Sequence, residues 1–365
     1  MITLIWSIGT ALVGGKPPGP SRALTGGYET MPFQRRIRVL QAATLLMIPA
    51  CVGCPSLDRL PSQAPVQELK SANENQPYLL YVPSTYSDER PMPLVVLCHG
   101  TWPYDTAPLQ MREWAAFAEA RGIIVAAPTL RGVQSDLPPP PDRQIALQRE
   151  DEAHILDIVS ELKRRYRIAE HMVFMTGWSG GAYAVLHTGL KHPEVFRALF
   201  VQQGAFDARF MADVSPERLD TWQSIRVEFG QADLIRDQSK ACLKWLRDAG
   251  LYVEELESPG SHKRVDASVP WKYFAQVAKE RLWVRVHARN PDPDDLLAVR
   301  YSLDAVPAVV RQKWFFGDGD ESTEPSPTHR YARPGTYEVN VNVALANGKK
   351  YNRKRKVEVG RPLVE

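Results

Sequence analysis

The chain has 365 residues, is 44% hydrophobic, and carries a formal net charge of +3 from 45 basic and 42 acidic residues. That length and apolar content exclude a disordered polymer and leave room for one large core plus a smaller module. The charge is close to balance and the basic clusters (Arg35, Arg36 and Arg38; Lys349 to Lys356) lie near the ends, which gives a nucleic-acid partner no further support.

The first 54 residues read as a targeting segment. In MPFQRRIRVLQAATLLMIPACVGC a basic stretch precedes an apolar run from Val39 to about Val52 and then small residues, the order of a secretory signal. The run is short for a bilayer span. Ile48 to Cys51 and Cys51 to Cys54 each resemble a bacterial lipoprotein signal, so Cys51 or Cys54 is a candidate for acylation, with plain cleavage the alternative. The expected location is secreted, periplasmic or on the outer surface, with a membrane contacted only through such an anchor. Residues 1–30 precede a second methionine, Met31, and read as an over-extended start. Residues 55–74, polar and proline-bearing, read as a linker.

From residue 75 to 281 strand-like and helix-like stretches alternate. The segments 78–83, 93–100, 122–130, 171–179, 197–206, 224–230 and 251–260 are short and mostly apolar, as strands buried on both faces are. Between them, residues 149–166 place Ile155, Ile158, Val159 and Leu162 on one helical face, and 111–122, 181–192, 237–250 and 271–282 behave similarly. The expectation is an α/β domain with a mainly parallel sheet and helices on both faces, its chemistry at the C-terminal ends of the strands. Cys98, in an apolar strand pattern, and Cys242, on a helix-like stretch, are expected to be buried thiols rather than a disulfide. Residues 282–361 change texture to short alternating strands and turn residues, which predicts a small all-β sandwich.

Gly177-Trp178-Ser179-Gly180-Gly181 fits G-x-S-x-G at a strand-to-helix turn. Such a turn holds a nucleophile in a strained backbone conformation, and flanking glycines let strand and helix approach. A serine hydroxyl needs a base, itself oriented by a carboxylate, in the chain order Ser, Asp or Glu, His. His262 in SPGSHKR is the preferred base, since His187 and His192 belong to the helix after the serine and His154 and His171 precede it. Asp233, directly after a strand and a glycine, is the preferred acid; it also suits a helix N-cap, and Asp237 is the main rival, with Asp207 further off. The developing oxyanion requires donors. Gly180 N–H supplies one, and Thr101 or Trp102 in LCHGTW the second, with His99 shaping that turn. Trp102, Tyr104 and Trp178 are expected to line the substrate groove. No metal or organic cofactor is called for.

With these residues assembled, the region from about 75 to 280 resembles the α/β-hydrolase family, and within it the secreted esterase branch of poly(3-hydroxybutyrate) depolymerases, feruloyl esterases and dienelactone-hydrolase-like enzymes. The likeness is carried by YLLYVPSTY, PLVVLCHGT, TGWSGGAYAV, HPEVFRALFVQQGAFD, FGQADL and GSH. It implies the triad Ser179, Asp233 and His262 and the oxyanion pair Thr101 and Gly180. It departs from that branch at Trp178, where many members carry a smaller residue, and in lacking a proline around Leu234 to Asp237. The last 80 or so residues resemble a PKD domain through WFFGDG, HRY and PGTYEV in that order. There Trp314 and Phe316 should enter the core while Asp318 and Asp320 stabilise a turn, calcium being the alternative. Such modules in secreted hydrolases act as spacers or as contacts to a surface, polysaccharide or protein. The resemblance implies a serine hydrolase of small or polymeric carboxylic esters; a peptidase of the same fold, or a silent binding protein acting through the PKD-like part, are the alternatives.

Overall fold

The apolar runs of the sequence become one eight-stranded sheet in a computed structural model, which describes residues 64–135, 139–215, 219–220 and 223–363. The targeting segment 1–54 and the first part of the linker lie outside the described residues. The strands are β1 (Gln67–Lys70), β2 (Pro77–Tyr81), β3 (Met92–Cys98), β4 (Ile124–Pro128), β5 (Ile168–Trp178), β6 (Ala198–Gln202), β7 (Ser224–Gly230) and β8 (Val253–Ser258), in the order β1-β2-β4-β3-β5-β6-β7-β8. β2 pairs antiparallel with both β1 and β4, and the remaining neighbours pair in parallel. Helices α1 (Ala107–Arg121), α2 (Pro141–Arg165), α3 (Ala182–Lys191), α4 (Arg236–Asp248) and α5 (Ser268–Glu280) connect them.

Period-two alternation along the central strands sorts their side chains into two cores. Leu94, Val96, Val173, Met175, Leu199 and Val201 pack toward α2, α3 and α4, while Val95, Leu97, Phe174 and Phe200 pack toward α1 and α5. Cys98 and Cys242 are free and buried in the first of these, and burial pushes both thiols up in pKa.

Three expectations are corrected. Residues 67–70, inside the stretch read as linker, form edge strand β1 against β2; Gln67, Glu68 and Lys70 disguise it because a half-exposed edge strand carries charge. Segment 251–260 holds β8, which is also an edge strand, with Glu255 and Glu257 facing water. Helix α2 starts at Pro141, a favourable first-turn residue, eight positions before the apolar period begins. Its early buried positions are polar: Gln144 donates to Gly132 O (3.0 Å) and Gln148 to Phe210 O (2.9 Å).

The C-terminal strands are β9 (Trp283–Arg289), β10 (Ala298–Val306), β11 (Val309–Phe315), β12 (Glu321–Ser322), β13 (Thr328–Arg330), β14 (Gly335–Leu345) and β15 (Lys350–Val359). They form two sheets, β13-β10-β9 and β12-β11-β14-β15, around Trp314, Phe316, Tyr301, Tyr331, Val339 and Val341. The Tyr301 and Tyr331 hydroxyls meet at 2.7 Å, and Tyr331 also donates to Phe316 O, which satisfies the polar ends of a buried aromatic cluster. The Asp318 carboxylate accepts from Asp320 N–H across the turn (3.2 Å) and meets His329 Nε2 (2.6 Å), and the ligand atoms of Asp318, Asp320 and His329 lie within 4.8 Å of one another, which fits both the turn and the cation expectations. Arg353 pairs with Asp220 (2.8 Å) and Arg285 with Glu170 (3.0 Å), joining the sandwich to the α/β domain.

Two polar anchors, one buried and one half-buried, brace the scaffold. Arg197 donates to His171 O, Val277 O and Arg281 O (2.9, 2.9 and 2.5 Å), holding the start of β6 to the end of α5, and burial lowers its pKa to about 10. The end of α3 is tied to α2 by His192, whose Nε2 meets Glu152 (2.6 Å) and Nδ1 meets Glu194 (3.0 Å). Burial opposes the imidazolium, but the two carboxylates outweigh it and raise the pKa to about 9.

A pKa raised on folding stabilises the folded state in full below the ordinary value and loses that effect as pH climbs through the folded one. His192 is therefore expected to contribute on the order of 3 kcal/mol at mildly acid pH, fading by about pH 10. Thermal denaturation of the wild type and His192→Gln across that range checks it: the gap should close at alkaline pH, and a constant gap would contradict the assignment.

Candidate active site

Strand β5 ends at Trp178, and a single 3-10 turn, Ser179–Gly181, leads into α3. Ser179 sits at φ 52°, in the left-handed region that costs a side-chain-bearing residue about 1–2 kcal/mol. Two glycines make the turn possible. A Cβ on Gly181 would lie 2.1 Å from Cys98 O at the end of β3, and one on Gly177 would lie 2.7 Å from Gly181 O. With both absent, the serine is lifted clear of the sheet, and Gly180 N–H, at the start of a helical turn, has no helical carbonyl to bond.

The loops after β7 and β8 meet the serine from the neighbouring strand ends. Gln231 N–H donates to Ser258 O (2.9 Å) and Ala232 N–H to Gly260 O (2.8 Å), so these two loops are stitched backbone to backbone. His262 projects from one and Asp233 from the other. His262 Nε2 lies 2.9 Å from Ser179 Oγ, and His262 Nδ1 lies 2.9 Å from Asp233 Oδ1. The Asp233 carboxylate is fully buried, which favours the tautomer with Nδ1–H donating to it and Nε2 free to accept the serine proton. The same Oδ1 accepts from Ile235 N–H (2.9 Å), which closes the turn ahead of α4; the N-cap residue of that helix is Ile235 and no side chain caps it, so the helix-cap role open to Asp233 in the sequence is not taken up. Asp237 stands exposed in the first turn of α4, and Asp207 pairs with Arg209; neither is bonded to His262.

The loop after β3 faces the turn from the other side. Thr101 N and Oγ1 lie 3.4 and 2.6 Å from where a Gly180 Cβ would be, and no acceptor takes Thr101 N–H among the described residues. Trp102 N–H is spent on Val133 O (2.8 Å), so of the two candidates Thr101 is the one with a free donor. His99 is buried, bonded through Nδ1 to Gly100 O and through Nε2 to Leu130 N–H, and burial lowers its pKa. Trp102 and Tyr104 are exposed, at 51% and 70%. Trp178 departs from the groove-lining expectation. Its ring is buried against the His262 imidazole, 4.8 Å between centroids, so it backs the base instead of presenting a face to solvent.

Residues 110–233 match the family model described as the prolyl oligopeptidase family, and residues 288–359 match the PKD domain model. The chain joins an α/β-hydrolase domain to a PKD domain. Similar solved structures include a ferulic acid esterase from Anaeromyces mucronatus, 16% identical over 58% of this chain and 88% of that one (TM-score 0.49). Another is the fluorophosphonate-binding serine hydrolase FphF from Staphylococcus aureus, 13% identical over 60% and 100% (TM-score 0.46). A third is dipeptidyl peptidase 4 from Porphyromonas gingivalis, 14% identical over 59% and 34% (TM-score 0.42). Among curated proteins, collagenase ColA from Bacillus cereus is 45% identical over 51 residues, which is 14% of this chain and 5% of that protein.

Around the hydrolase site, sequence reasoning passed over three residues. Gln203 adopts φ 43°, and its side-chain oxygen accepts from Lys263 N–H (2.6 Å) beside His262. Asp105 is fully buried and pairs with Arg264 (2.5 Å). The available signal was position: Arg264 follows His262 by two residues, and Asp105 is the single acid of the Thr101 loop. Gln203 carried none, because a left-handed glutamine looks like any other in a sequence.

Gly181→Ala is expected to cost about 3 kcal/mol or more, because the clash is with backbone that has nowhere to move. Chemical denaturation measures it; a variant as stable as the parent would mean that α3 does not approach β3 this closely.

Proposed function

We propose that the protein is a serine hydrolase that cleaves carboxylic esters through an acyl-enzyme. The observation that carries the reading is the unbroken relay Ser179 Oγ, His262 Nε2, His262 Nδ1, Asp233 Oδ1, with both links at 2.9 Å. As Ser179 attacks the acyl carbon, its proton passes to His262 Nε2, while Asp233 holds the ring and balances the imidazolium. The substrate carbonyl oxygen takes up negative charge between Gly180 N–H and Thr101 N–H. Collapse of the tetrahedral species expels the alcohol, which takes the proton from Nε2. A water then gives its proton to the same nitrogen and attacks the acyl group, releasing the acid and restoring the serine.

Esters are the favoured substrates for a chemical reason. An alkoxide leaves more readily than an amine, so a relay able to open a peptide opens an ester as well, whereas the converse does not follow. Exposed Trp102 and Tyr104 flank the oxyanion loop and supply apolar contact for the acyl or alcohol part of a small or polymeric ester. The second reading, a peptidase, is favoured by the prolyl oligopeptidase family match over residues 110–233. The PKD domain and the apolar run after the arginines of the targeting segment support a location outside the cell, where the PKD domain serves as a spacer or surface contact.

The decisive measurement sets nitrophenyl, feruloyl and hydroxyalkanoate esters beside peptide nitroanilides, for the wild type and Ser179→Ala. Hydrolysis of at least one ester is expected, with kcat falling on the order of 10⁶-fold in the variant. Turnover that survives the substitution would refute the reading, nitroanilide cleavage without ester cleavage would favour the peptidase, and a wild-type serine inert to fluorophosphonate would favour a binding protein. Export predicts that intact-mass analysis finds the mature chain beginning near Cys51 or Cys54; an exported protein retaining Met1 would contradict it.

A further inference from the structure

We propose that Arg264 is a positioning residue that locks the histidine loop to the oxyanion loop through the buried carboxylate of Asp105, fixing the spacing between base and oxyanion donors. The inference rests on the serine-hydrolase reading.

The two sides of the site come from different parts of the sheet. Acid and histidine loops are joined by their own backbone bonds, and the serine is tied to the loop after β6 by Ala205 N–H donating to Ser179 O (3.0 Å). The Thr101 loop follows β3, and its backbone turn contacts run elsewhere: Trp102 N–H to Val133 O, and Asp105 N–H back to Thr101 O (3.1 Å). Arg264 makes the bridge. Its Nη1 donates to Asp105 Oδ1 (2.5 Å), while Asp105 Oδ2 accepts from Gly100 N–H (2.7 Å) and Gln110 Nε2 (2.9 Å). The bond to Gly100 N–H fixes the His99–Gly100 peptide, one peptide ahead of the one that carries Thr101 N–H, the proposed donor.

The guanidinium is itself held from three directions. Glu113 on α1 grips it in a fork, Nε to Oε2 at 2.8 Å and Nη2 to Oε1 at 2.5 Å, which sets the plane of the group. Its carbon lies 5.2 Å from the centroid of the Trp178 ring, and that ring rests on His262. Trp178 in turn presses against Gly100, where a Cβ would meet its Cε3 at 2.7 Å. One cation thus touches parts of the frame behind nucleophile, base and oxyanion donors. Besides its grip on α1 through Glu113, Arg264 joins the two loops that bear the proposed base and oxyanion donor. Misplacement of such groups by about 1 Å costs on the order of 100-fold in rate.

The test uses the full chain and p-nitrophenyl acetate, with Arg264→Ala, Asp105→Asn and the double variant, and thermal denaturation as the folding check. Each single change should lower kcat by about 10- to 100-fold and leave KM within about threefold. The double variant should be no slower than the slower single one, because the two residues act as a unit. Free guanidinium should restore part of the lost rate to Arg264→Ala and none to Asp105→Asn. Should Arg264→Ala fail to fold, Asp105→Asn decides, since it keeps shape and removes only the charge. A folded variant with kcat within about twofold of wild type, or losses that multiply in the double variant, overturns the inference. Fluorophosphonate labelling separates the two levels: an inert wild-type serine sinks the hydrolase reading and this inference together, whereas a reactive wild type with equally fast variants sinks this inference alone.

Discussion

A helix can start against the end of a neighbouring strand only where no side chain stands between them, and the contact of Gly181 with Cys98 O is that place. Everything at the site is referred to it. Because α3 abuts β3, the residue before the turn must leave β5 at a left-handed angle, and Ser179 takes that angle. Because β3 ends there, the Thr101 loop departs directly beside Gly180, with Thr101 N 3.4 Å from where a Gly180 Cβ would stand. Trp178 fills the gap left behind, against Gly100 on one side and His262 on the other.

Electrostatics then settles which groups keep their charge. Three acids lie buried near the rim: Asp105, Asp233 and Glu228. Asp105 meets a guanidinium and two N–H donors, and Asp233 meets the imidazole and a backbone N–H, so each charge is compensated where it stands. Glu228 meets the Ser258 hydroxyl on Oε1, while its Oε2, like Asp233 Oδ2, is unpartnered among the described residues; burial, with the nearby Asp233 charge, raises its pKa.

How much of this was legible in the sequence follows from which forces act locally. The central strands were readable because burial on both faces demands uninterrupted apolar runs, and the serine turn was readable because only glycines satisfy its sterics. Edge strand β1 was hard to read because its water-facing positions carry Glu68 and Lys70; β8 was read as a strand, but its burial on both faces was not met because Glu255 and Glu257 face water; and the start of α2 was hidden because Gln144 and Gln148 fill buried positions through hydrogen bonds. Asp233 could be favoured over Asp237 but not separated from a helix cap in sequence, because α4 begins only three residues later; its Oδ1 instead closes the turn before that helix and meets the imidazole. Trp178 could be placed near the serine, but which way its ring turns depends on Arg264 and His262, more than 80 positions away. The bridge from Arg264 to Asp105 spans 159 positions, and no periodicity encodes such a pairing.

Strain and stability are linked at this rim. Ser179 and Gln203, each at the end of a central strand, both hold left-handed conformations that side-chain-bearing residues avoid, together costing about 2–4 kcal/mol by ordinary values. That is a large share of a typical folding free energy of about 5–15 kcal/mol, so neither would persist unless its surroundings left no alternative. Ser179 is pinned by Ala205 N–H on its carbonyl, and Gln203 by Glu228 O on its N–H and Lys263 N–H on its side chain. The two residues therefore hold each other's neighbourhoods in place: the segment that starts at Gln203 delivers the bond to Ser179, and the side chain of Gln203 braces the residue after His262. Relaxing either turn would release serine and imidazole together, which is why the strain sits at these two points and why the sheet beneath them is continuous from β3 to β8.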